Sequence, residues 1–313
     1  MIGNVAQFWR ITRELDIQGL RESFEHPVSL RVLGSDLATA DRIARLIDPD
    51  PYAGEISTGV LADPGREQAD LFVAAIGNTQ LDHDARRMLS DLSVSDRPLL
   101  VVQIEPLNSV LLLGVPEERV VELYALTPDD EARGKLFAAL VRAAPEIALP
   151  LARRHPLVRE AVAEHLIRDT SRVNAQFAAL SSLPANIPLI GGLVGDMADM
   201  LVLTKNQVLL LFKLAGLYGR DLELGRQLIA EVLPVVGGAF MWRSAARSLV
   251  GFLPSLLGLL PKTIVAYTGT FVVGEMARYY YRHGRKPPPE FVRELRLEGT
   301  KLAREALARL KRN

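Results

Sequence analysis

The chain contains no cysteine among its 313 residues. This absence excludes disulfide bonds, thiolate metal sites and cysteine nucleophiles, and it is typical of a protein in a reducing compartment. The first twenty residues also lack the basic start, the long apolar run and the small-residue cleavage site of a secretory signal. We therefore expect most of the protein to lie in the cytoplasm.

The chain also lacks net charge, but its two halves are strongly unequal. Residues 1–150 hold 14 Lys and Arg against 24 Asp and Glu, a net charge of −10. Residues 151–313 hold 23 against 13, a net charge of +10. An acidic half joined to a basic half indicates two modules with different partners.

The N-terminal segment, residues 1–26, has apolar residues at roughly helical spacing. They are Phe8, Ile11, Leu15 and Leu20. This spacing predicts an amphipathic helix over Val5–Glu25, which either packs on its neighbours or docks a partner.

Short apolar runs alternate with helical patterns between residues 27 and 150. Strands that alternate with helices predict βαβ units and a mainly parallel sheet, hence an α/β domain. The strand candidates are Val28–Gly34, Asp70–Gly77, Pro98–Ile104 and Val120–Leu126, and the helix candidates are Asp36–Ile47, Asp82–Ser93 and Asp129–Pro145. A further apolar run, Leu107–Pro116, is not assigned.

This order of signals, over about residues 27–145, resembles a small Era-like GTPase domain. The resemblance implies a phosphate-binding loop, G-x-x-x-x-G-K-[ST], at the first strand–helix turn. The matching stretch reads Gly34-Ser35-Asp36-Leu37-Ala38-Thr39-Ala40-Asp41. Only Gly34 is kept, whereas Thr39 replaces the second glycine, Ala40 the lysine and Asp41 the Ser or Thr. The acidic residues of this stretch oppose the binding of an anion.

Two later motifs have drifted as well. Ala62-Asp63-Pro64-Gly65 looks like the family's Asp-x-x-Gly turn, but Ala62 stands at its Asp position. Where the family reads guanine with Asn-Lys-x-Asp, this chain has Gln103-Ile104-Glu105-Pro106, without the acid that anchors the base. We therefore predict a degenerate, nucleotide-free pseudo-GTPase domain without a cofactor. The alternative is an α/β domain with no GTPase ancestry, which also predicts no nucleotide hydrolysis.

The second half reads as an all-α domain whose first helices carry a thin polar stripe. Helices are predicted over Ala152–Arg168, Leu166–Leu183, Asp196–Tyr218, Leu222–Met241, Trp242–Leu260, Lys262–Tyr281 and Glu290–Arg312, and the stripe consists of Asp196, Asp199, Lys205 and Asn206. The paired carboxylates suit a metal-dependent hydrolase. They equally suit the first turn of a helix, where the helix dipole favours acids. His155 and His165 are not spaced as a helical metal pair, and we predict neither a metal site nor catalytic residues.

Several short segments of this half resemble one family. They are Arg168-Asp169-Thr170, Asn174-Ala175-Gln176-Phe177, Gly195-Asp196, Leu203-Thr204-Lys205-Asn206-Gln207, Leu217-Tyr218-Gly219, Gly237-Gly238, Trp242-Arg243 and Ala266-Tyr267-Thr268-Gly269-Thr270. Over about residues 155–282 they look like the YcjF-like family, a bacterial domain of unknown function that often follows an Era-like GTPase domain. The resemblance implies a membrane-associated helical module, and it implies no catalytic residues.

The C-terminal third combines an apolar run with a basic tail. Leu249–Gly274 carries one charged residue, Lys262, but prolines divide it into pieces that fit a membrane hairpin or a buried core. Residues 278–313 hold 11 basic and 4 acidic residues, which favours contact with the anionic inner leaflet of a membrane. The alternative is a solvated helix that packs back on the bundle. No stacking motif favours nucleic acid.

Together these patterns predict four segments: residues 1–26, 27–150, 151–286 and 287–313. We expect a non-catalytic scaffold or regulatory protein on the cytoplasmic face of the membrane, attached peripherally or by an embedded hairpin. Its expected partners are anionic lipid and either a true GTPase or further copies of the chain. The alternatives are a soluble helical interaction protein that partners a true GTPase, and the hydrolase that uses Asp196 and Asp199.

Overall fold

The computed structural model describes residues 15–51, 55–63, 68–77, 81–105, 115–124, 130–180, 196–225, 227–237 and 259–310. The chain divides into two compact units. One comprises Ser23–Val162, and the other comprises Met1–Glu22 with Ala163–Asn313. The four segment boundaries expected from the sequence remain a prediction.

The first unit is built on a five-stranded parallel sheet with the strand order β2-β1-β3-β4-β5. Its strands are β1 (Leu30–Gly34), β2 (Ile56–Val60), β3 (Leu71–Ile76), β4 (Leu99–Ile104) and β5 (Val120–Leu123). Every residue of the three central strands β1, β3 and β4 is buried, as expected when helices cover both faces of a parallel sheet. The predicted α/β class with a parallel sheet is confirmed.

Helices α2 (Leu37–Ile47), α3 (His83–Val94) and α4 (Asp130–Ala143) follow strands and cover the sheet, and α5 (Ala148–Arg154) comes after them. Helix α1 (Ile17–Glu25) precedes β1 and spans the boundary between the two units. Helix α3 packs on one face through Ala85, Leu89 and Leu92. Helices α2 and α4 contact each other and the sheet. The loops at the carboxyl ends of β1 and β4, where the degenerate motifs lie, therefore share one edge of the sheet.

Two expectations for this unit need correction. Strand β2 is absent from the sequence-based prediction because its residues, ISTGV, include a glycine and small polar side chains and are mostly half-buried. Helix α1 begins at Ile17, so the single helix predicted over Val5–Glu25 is wrong. The Asp16 carboxylate accepts the Gly19 N–H at 2.8 Å and caps the helix at this point. Residues 1–14 and residues 107–114 of the unassigned run lie outside the described residues.

The second unit is helical, which confirms the predicted all-α class. Its helices are α6 (Arg159–Leu180), α7 (Asp196–Leu217), α8 (Leu259–His283) and α9 (Pro289–Leu310), and residues 227–237 are also helical. The single helix predicted over Ala152–Arg168 is wrong. It breaks between α5 and α6 at His155-Pro156, because proline lacks the N–H of a helix interior and disfavours helical geometry in the residue before it.

Helix α8 forms the centre of the helical unit. Residues 266–277 are all buried, so this stretch is covered on every side by α6, α7, α9 and their neighbours. Residues 266–274 of the predicted apolar run therefore lie in a helical core. None of the described helices has both the length and the apolar character that crossing a bilayer requires. The stretch 249–258 of the same run lies outside the described residues.

Candidate functional site

The turn between β1 and α2, where a nucleotide-binding domain holds phosphate, is occupied by its own carboxylate. Asp36 is the N-cap of α2, and its Oδ1 accepts the Thr39 N–H at 2.8 Å. The Thr39 hydroxyl donates to Asp36 Oδ2 at 2.9 Å, and the Ser35 hydroxyl donates to the same atom at 3.3 Å. The Thr39 backbone N–H is the main reason why the pKa of Asp36 is lowered.

Gly34 is kept at this turn for a reason that involves no phosphate. A Cβ on Gly34 would lie 2.2 Å from the Asp36 carbonyl oxygen and 2.6 Å from the Ala40 nitrogen, so the main chain leaves no room for a side chain. Thr39 and Ala40, which replace a glycine and a lysine of the resembled motif, are buried. The surviving glycine is thus explained by the tight strand–helix turn alone.

This arrangement determines what the start of α2 can bind. A helix N-terminus attracts anions through its free N–H groups and its dipole. Here the Asp36 carboxylate supplies the anion from within the chain and uses the Thr39 N–H. A phosphate group would have to displace this carboxylate, while Asp41 adds a second negative charge one turn further along. The local electrostatics therefore oppose phosphate.

The base-recognition stretch at the end of β4 is equally unsuited to a nucleotide. Gln103 and Ile104 are each 5% exposed. Glu105 takes a left-handed conformation, with φ of 50°, and its N–H donates to the Leu123 carbonyl at 2.8 Å. Pro106 lies outside the described residues. Gln103 and Ile104, at the motif's Asn and Lys positions, are thus buried, and the exposed Glu105 stands at its variable position, not at its Asp position.

A cluster of polar side chains around the buried His155 links the segment after α5 to the rest of the sheet unit, and sequence reasoning missed it. His155 Nδ1 lies 2.7 Å from Asp48 Oδ2, and His155 Nε2 lies 3.5 Å from Glu55 Oε2. Arg154 forms an ion pair with Glu55 and donates to the Glu25 carbonyl. The cluster ties three separate stretches of chain together. Its sequence signal was weak, because Asp48 and His155 are 107 residues apart.

No metal centre is found in the part of the chain that the structure describes. No group of three or more His, Asp or Glu side chains there could hold a metal ion. His155 does not qualify, because its two ring nitrogens face different carboxylates. The side chains of Asp196 and Asp199 lie outside the described part, although both residues belong to the first turn of α7.

The predicted polar stripe divides into an outward and an inward part. Lys205 is exposed. Asn206 is half-buried, and its Nδ2 donates to Asn174 Oδ1 on α6 at 2.8 Å. Two turns further along α7, burial lowers the pKa of the half-buried Lys213, an effect that the nearby Asp169 opposes. Only Asn206 of the described stripe residues therefore takes part in a specific tertiary contact that the structure defines.

Asn206 belongs to a hydrogen-bond network at the meeting point of three helices. Asn174 on α6 and Gln207 on α7 are completely buried, and both donate to the Thr270 hydroxyl on α8, at 2.8 and 2.9 Å. The Thr270 hydroxyl in turn donates to the Ala266 carbonyl at 2.9 Å. Buried amides are stable only when they are paired, so this network fixes the relative positions of α6, α7 and α8.

Three of the segments that resemble the YcjF-like family supply this network. Asn174 begins one segment, Asn206 and Gln207 end the second, and Thr270 ends the third. The structure therefore brings distant family-like residues together as a core hydrogen-bond network. Apart from half-buried Asn206, the network members lie in the interior, where they hold helices together and cannot contact a substrate in solution.

Helix α8 also carries a buried acid, Glu275, which sequence reasoning did not single out. The residue is 4% exposed, and its Oε2 lies 2.7 Å from Arg278 Nη2. Burial raises its pKa to about 7, an effect that Arg278 and Arg168 oppose and that Glu298 and Glu164 reinforce. A lone acid immediately after a long apolar run was the available signal.

Comparison with family models, with curated proteins and with solved structures finds no match for this chain. The resemblances to the Era-like and YcjF-like families therefore remain expectations from the sequence. The carboxylate-capped turn and the buried helical network are the two geometries of the chain that bear on its function.

Proposed function

We propose that this protein is a non-catalytic scaffold or regulator in which a GTPase-like domain has lost its nucleotide. One observation carries the proposal: the Asp36 carboxylate occupies the helix terminus that would otherwise receive phosphate. The buried Gln103 and Ile104 support it from the other half of the same sheet edge. A domain of this kind can still bind other proteins through its folded surface, although it neither binds nor hydrolyses a nucleotide.

The helical unit is proposed to place the protein at the cytoplasmic face of a membrane. The basic C-terminal region and the resemblance to the YcjF-like family support this part of the proposal. Because residues 266–277 of α8 are enclosed by other helices, the attachment we favour is peripheral, through charge and interfacial side chains. A true GTPase or a second copy of the chain is the proposed protein partner.

Calorimetric titration of the full chain with GTP and with ATP, each with Mg²⁺, tests the nucleotide part. We expect only the heat of dilution, because a phosphate must displace Asp36 and no lysine replaces the lost charge. Binding with micromolar affinity and a stoichiometry near one would refute the proposal. A true Era-like GTPase titrated in parallel is the positive control.

A second candidate is a soluble helical interaction protein that partners a true GTPase. The uninterrupted burial of residues 266–277 favours it, since the bundle satisfies this apolar stretch without lipid. The two candidates differ in one measurable property. The first predicts that the protein sediments with membranes at low ionic strength, and the second predicts that it does not.

A further inference from the structure

The turn between α8 and α9 exposes a compact group of cations. Residues 282–286, RHGRK, are all exposed. Helix α8 ends at His283, Gly284 reverses the chain with φ of 67°, and the Gly284 N–H donates to the Tyr280 carbonyl at 2.8 Å. Three prolines, 287–289, follow and lead directly into α9. The turn is thus held in one conformation before any partner binds.

Favourable interaction with the helix dipole explains only some of the cations in this turn. Arg282 and His283 lie in the last turn of α8, where cations are favoured by the helix dipole. Arg285 and Lys286 lie beyond Gly284, after the helix has ended. Among the described residues, neither side chain makes an ion pair or a hydrogen bond, so the fold leaves these two cations for a partner outside the unit.

One acid at this end of the bundle, Glu231, is already engaged. Glu231 accepts the Tyr280 hydroxyl at 2.8 Å and pairs with Arg220 at 3.4 Å. The segment that carries Arg220 lies at this end, because its guanidinium sits 6.0 Å from the centre of the Tyr281 ring. Glu290 occupies the first turn of α9, where the dipole favours an acid. None of these contacts neutralises Arg285 or Lys286.

Aromatic side chains surround the base of the turn. The half-buried Tyr279 ring lies 4.4 Å from the His283 ring and 5.0 Å from the Phe291 ring, measured between centroids. Tyr280, also half-buried, keeps its hydroxyl at the surface contact with Glu231. Tyrosine beside exposed cations is the side-chain combination found at membrane–water interfaces, where the ring meets acyl chains and the polar tip meets headgroups.

We propose that the turn 282–286 is the point at which this protein contacts an anionic lipid surface, with Arg285 and Lys286 binding headgroup phosphates. The inference rests on the membrane-associated function proposed above and names its contact site. A preformed turn loses little conformational entropy when it binds. Two cations can therefore be enough for a measurable electrostatic contact. The outer face of α9 is not required for this contact, although it also carries exposed cations, among them Arg293 and Lys301.

Vesicle sedimentation of the full chain tests the proposal with two variants of equal charge change. The test variant is Arg285→Gln/Lys286→Gln, and the control is Arg293→Gln/Lys301→Gln, which removes two exposed cations from α9. Vesicles of phosphatidylcholine are compared with vesicles that also contain phosphatidylglycerol. At about 1 kcal/mol for each basic residue near an anionic surface, the test variant should bind the anionic vesicles about thirty-fold more weakly than wild type.

The control should stay close to wild type, and circular dichroism should show the same helix content in all three proteins. Equal weakening of both variants would overturn the turn as the contact site while leaving membrane association intact. Failure of wild type to bind either vesicle would overturn the membrane part of the proposed function as well. If instead wild type self-associates at low salt without lipid and only the turn variant does not, the acidic half of a second copy is the occupant and the lipid proposal fails.

Discussion

Asp36 ties helix capping to the proposed absence of nucleotide binding. Its carboxylate satisfies an N–H group at the start of α2 and places a negative charge where a phosphate would need attraction. The two effects have the same physical origin, since both the cap and a bound phosphate use the free donors of a helix terminus. In the proposed function, the group that stabilises the helix is therefore also the group that keeps phosphate away.

Replacing Asp36 with Ala should lower the free energy of unfolding by about 1 kcal/mol at neutral pH, the usual cost of a lost N-cap. The variant Asp36→Ser can still accept the Thr39 N–H, so it should keep most of the wild-type free energy of unfolding. Because the pKa of Asp36 is lowered in the folded protein, its contribution is full above the unfolded value of 3.8 and fades as the pH falls through the folded value. Urea unfolding of the three proteins at pH 7 and in acid measures this. An equal loss for Ala and Ser would contradict the capping role.

Glu275 gives the opposite pH dependence. Its folded pKa of about 7 lies above the ordinary value of 4.5, so between these pH values the folded chain holds a proton that the unfolded chain has lost. Its contribution to stability is therefore greatest in acid and decreases by up to about 3 kcal/mol as the pH rises to 7 and beyond.

The variant Glu275→Gln keeps the shape of the side chain and removes its charge. Its free energy of unfolding should rise relative to wild type as the pH increases from 5 to 8. Glu290→Gln, at an exposed position on α9, serves as the control and should follow wild type. A constant difference between wild type and Glu275→Gln across this range would show that Glu275 does not titrate there.

At the scale of helices, two glycines predict opposite responses to the same substitution. Gly274 lies in α8, where a Cβ would be 2.8 Å from Ile167 Cγ1 and 3.2 Å from Leu210 Cδ2. Gly134 lies in α4 and is exposed, with nothing within 4 Å of a Cβ. Gly274→Ala should destabilise by about 1–2 kcal/mol through overpacking, whereas Gly134→Ala should stabilise by up to about 1 kcal/mol through helix propensity. Thermal unfolding of both variants decides, and stabilisation by Gly274→Ala would contradict the close packing of α6, α7 and α8.

The amide network makes a second prediction for the same three helices. Asn174→Ala removes donors to Thr270 and to the Leu203 carbonyl and the acceptor of Asn206, so it should cost about 2–3 kcal/mol. Gln176→Ala, two residues along α6 and exposed, should change the free energy of unfolding by less than about 0.5 kcal/mol. Equal costs in urea unfolding would mean that the network does not hold the helices together.

Elements with a strong local signal were predictable and those with a weak signal were not. The central strands β3 and β4 are continuous apolar runs, because both faces of a parallel sheet are covered, and they lie where the sequence places them. The edge strand β2, by contrast, has small polar residues and half-exposed side chains, so no run marks it. Pro156 alone indicates a helix break. The helical periodicity on both sides of it nevertheless led to the prediction of one continuous helix.

The candidate sites divide in the same way. The absence of the phosphate-loop consensus from residues 34–41 is readable from residue identity alone, whereas the role of Asp36 as a cap depends on where α2 starts. The amide network joins Asn174 and Thr270, which are 96 residues apart, and no local pattern relates them. Long-range pairing of this kind depends on how the helices pack against each other. Hydrophobic periodicity predicts only which face of a helix is buried, not which residues of another helix that face meets.

Over the whole molecule, an acidic half is joined to a basic half. In the proposed function, the α/β unit makes protein contacts without a nucleotide. The helical unit buries residues 266–277 in its interior and contacts the membrane through its surface, with the turn 282–286 as the proposed site. The central claim is that the protein works as a peripheral membrane protein without nucleotide chemistry.

Membrane fractionation of the full chain tests that claim most directly. Cells are lysed at low ionic strength, the membranes are sedimented, and separate portions are washed with high salt and with alkaline carbonate. The account predicts that the protein pellets with membranes and that high salt alone releases it, because the contact is electrostatic. Retention through the carbonate wash would contradict the peripheral attachment and indicate an embedded segment. Failure to pellet at low salt would contradict the membrane function and favour the soluble interaction protein.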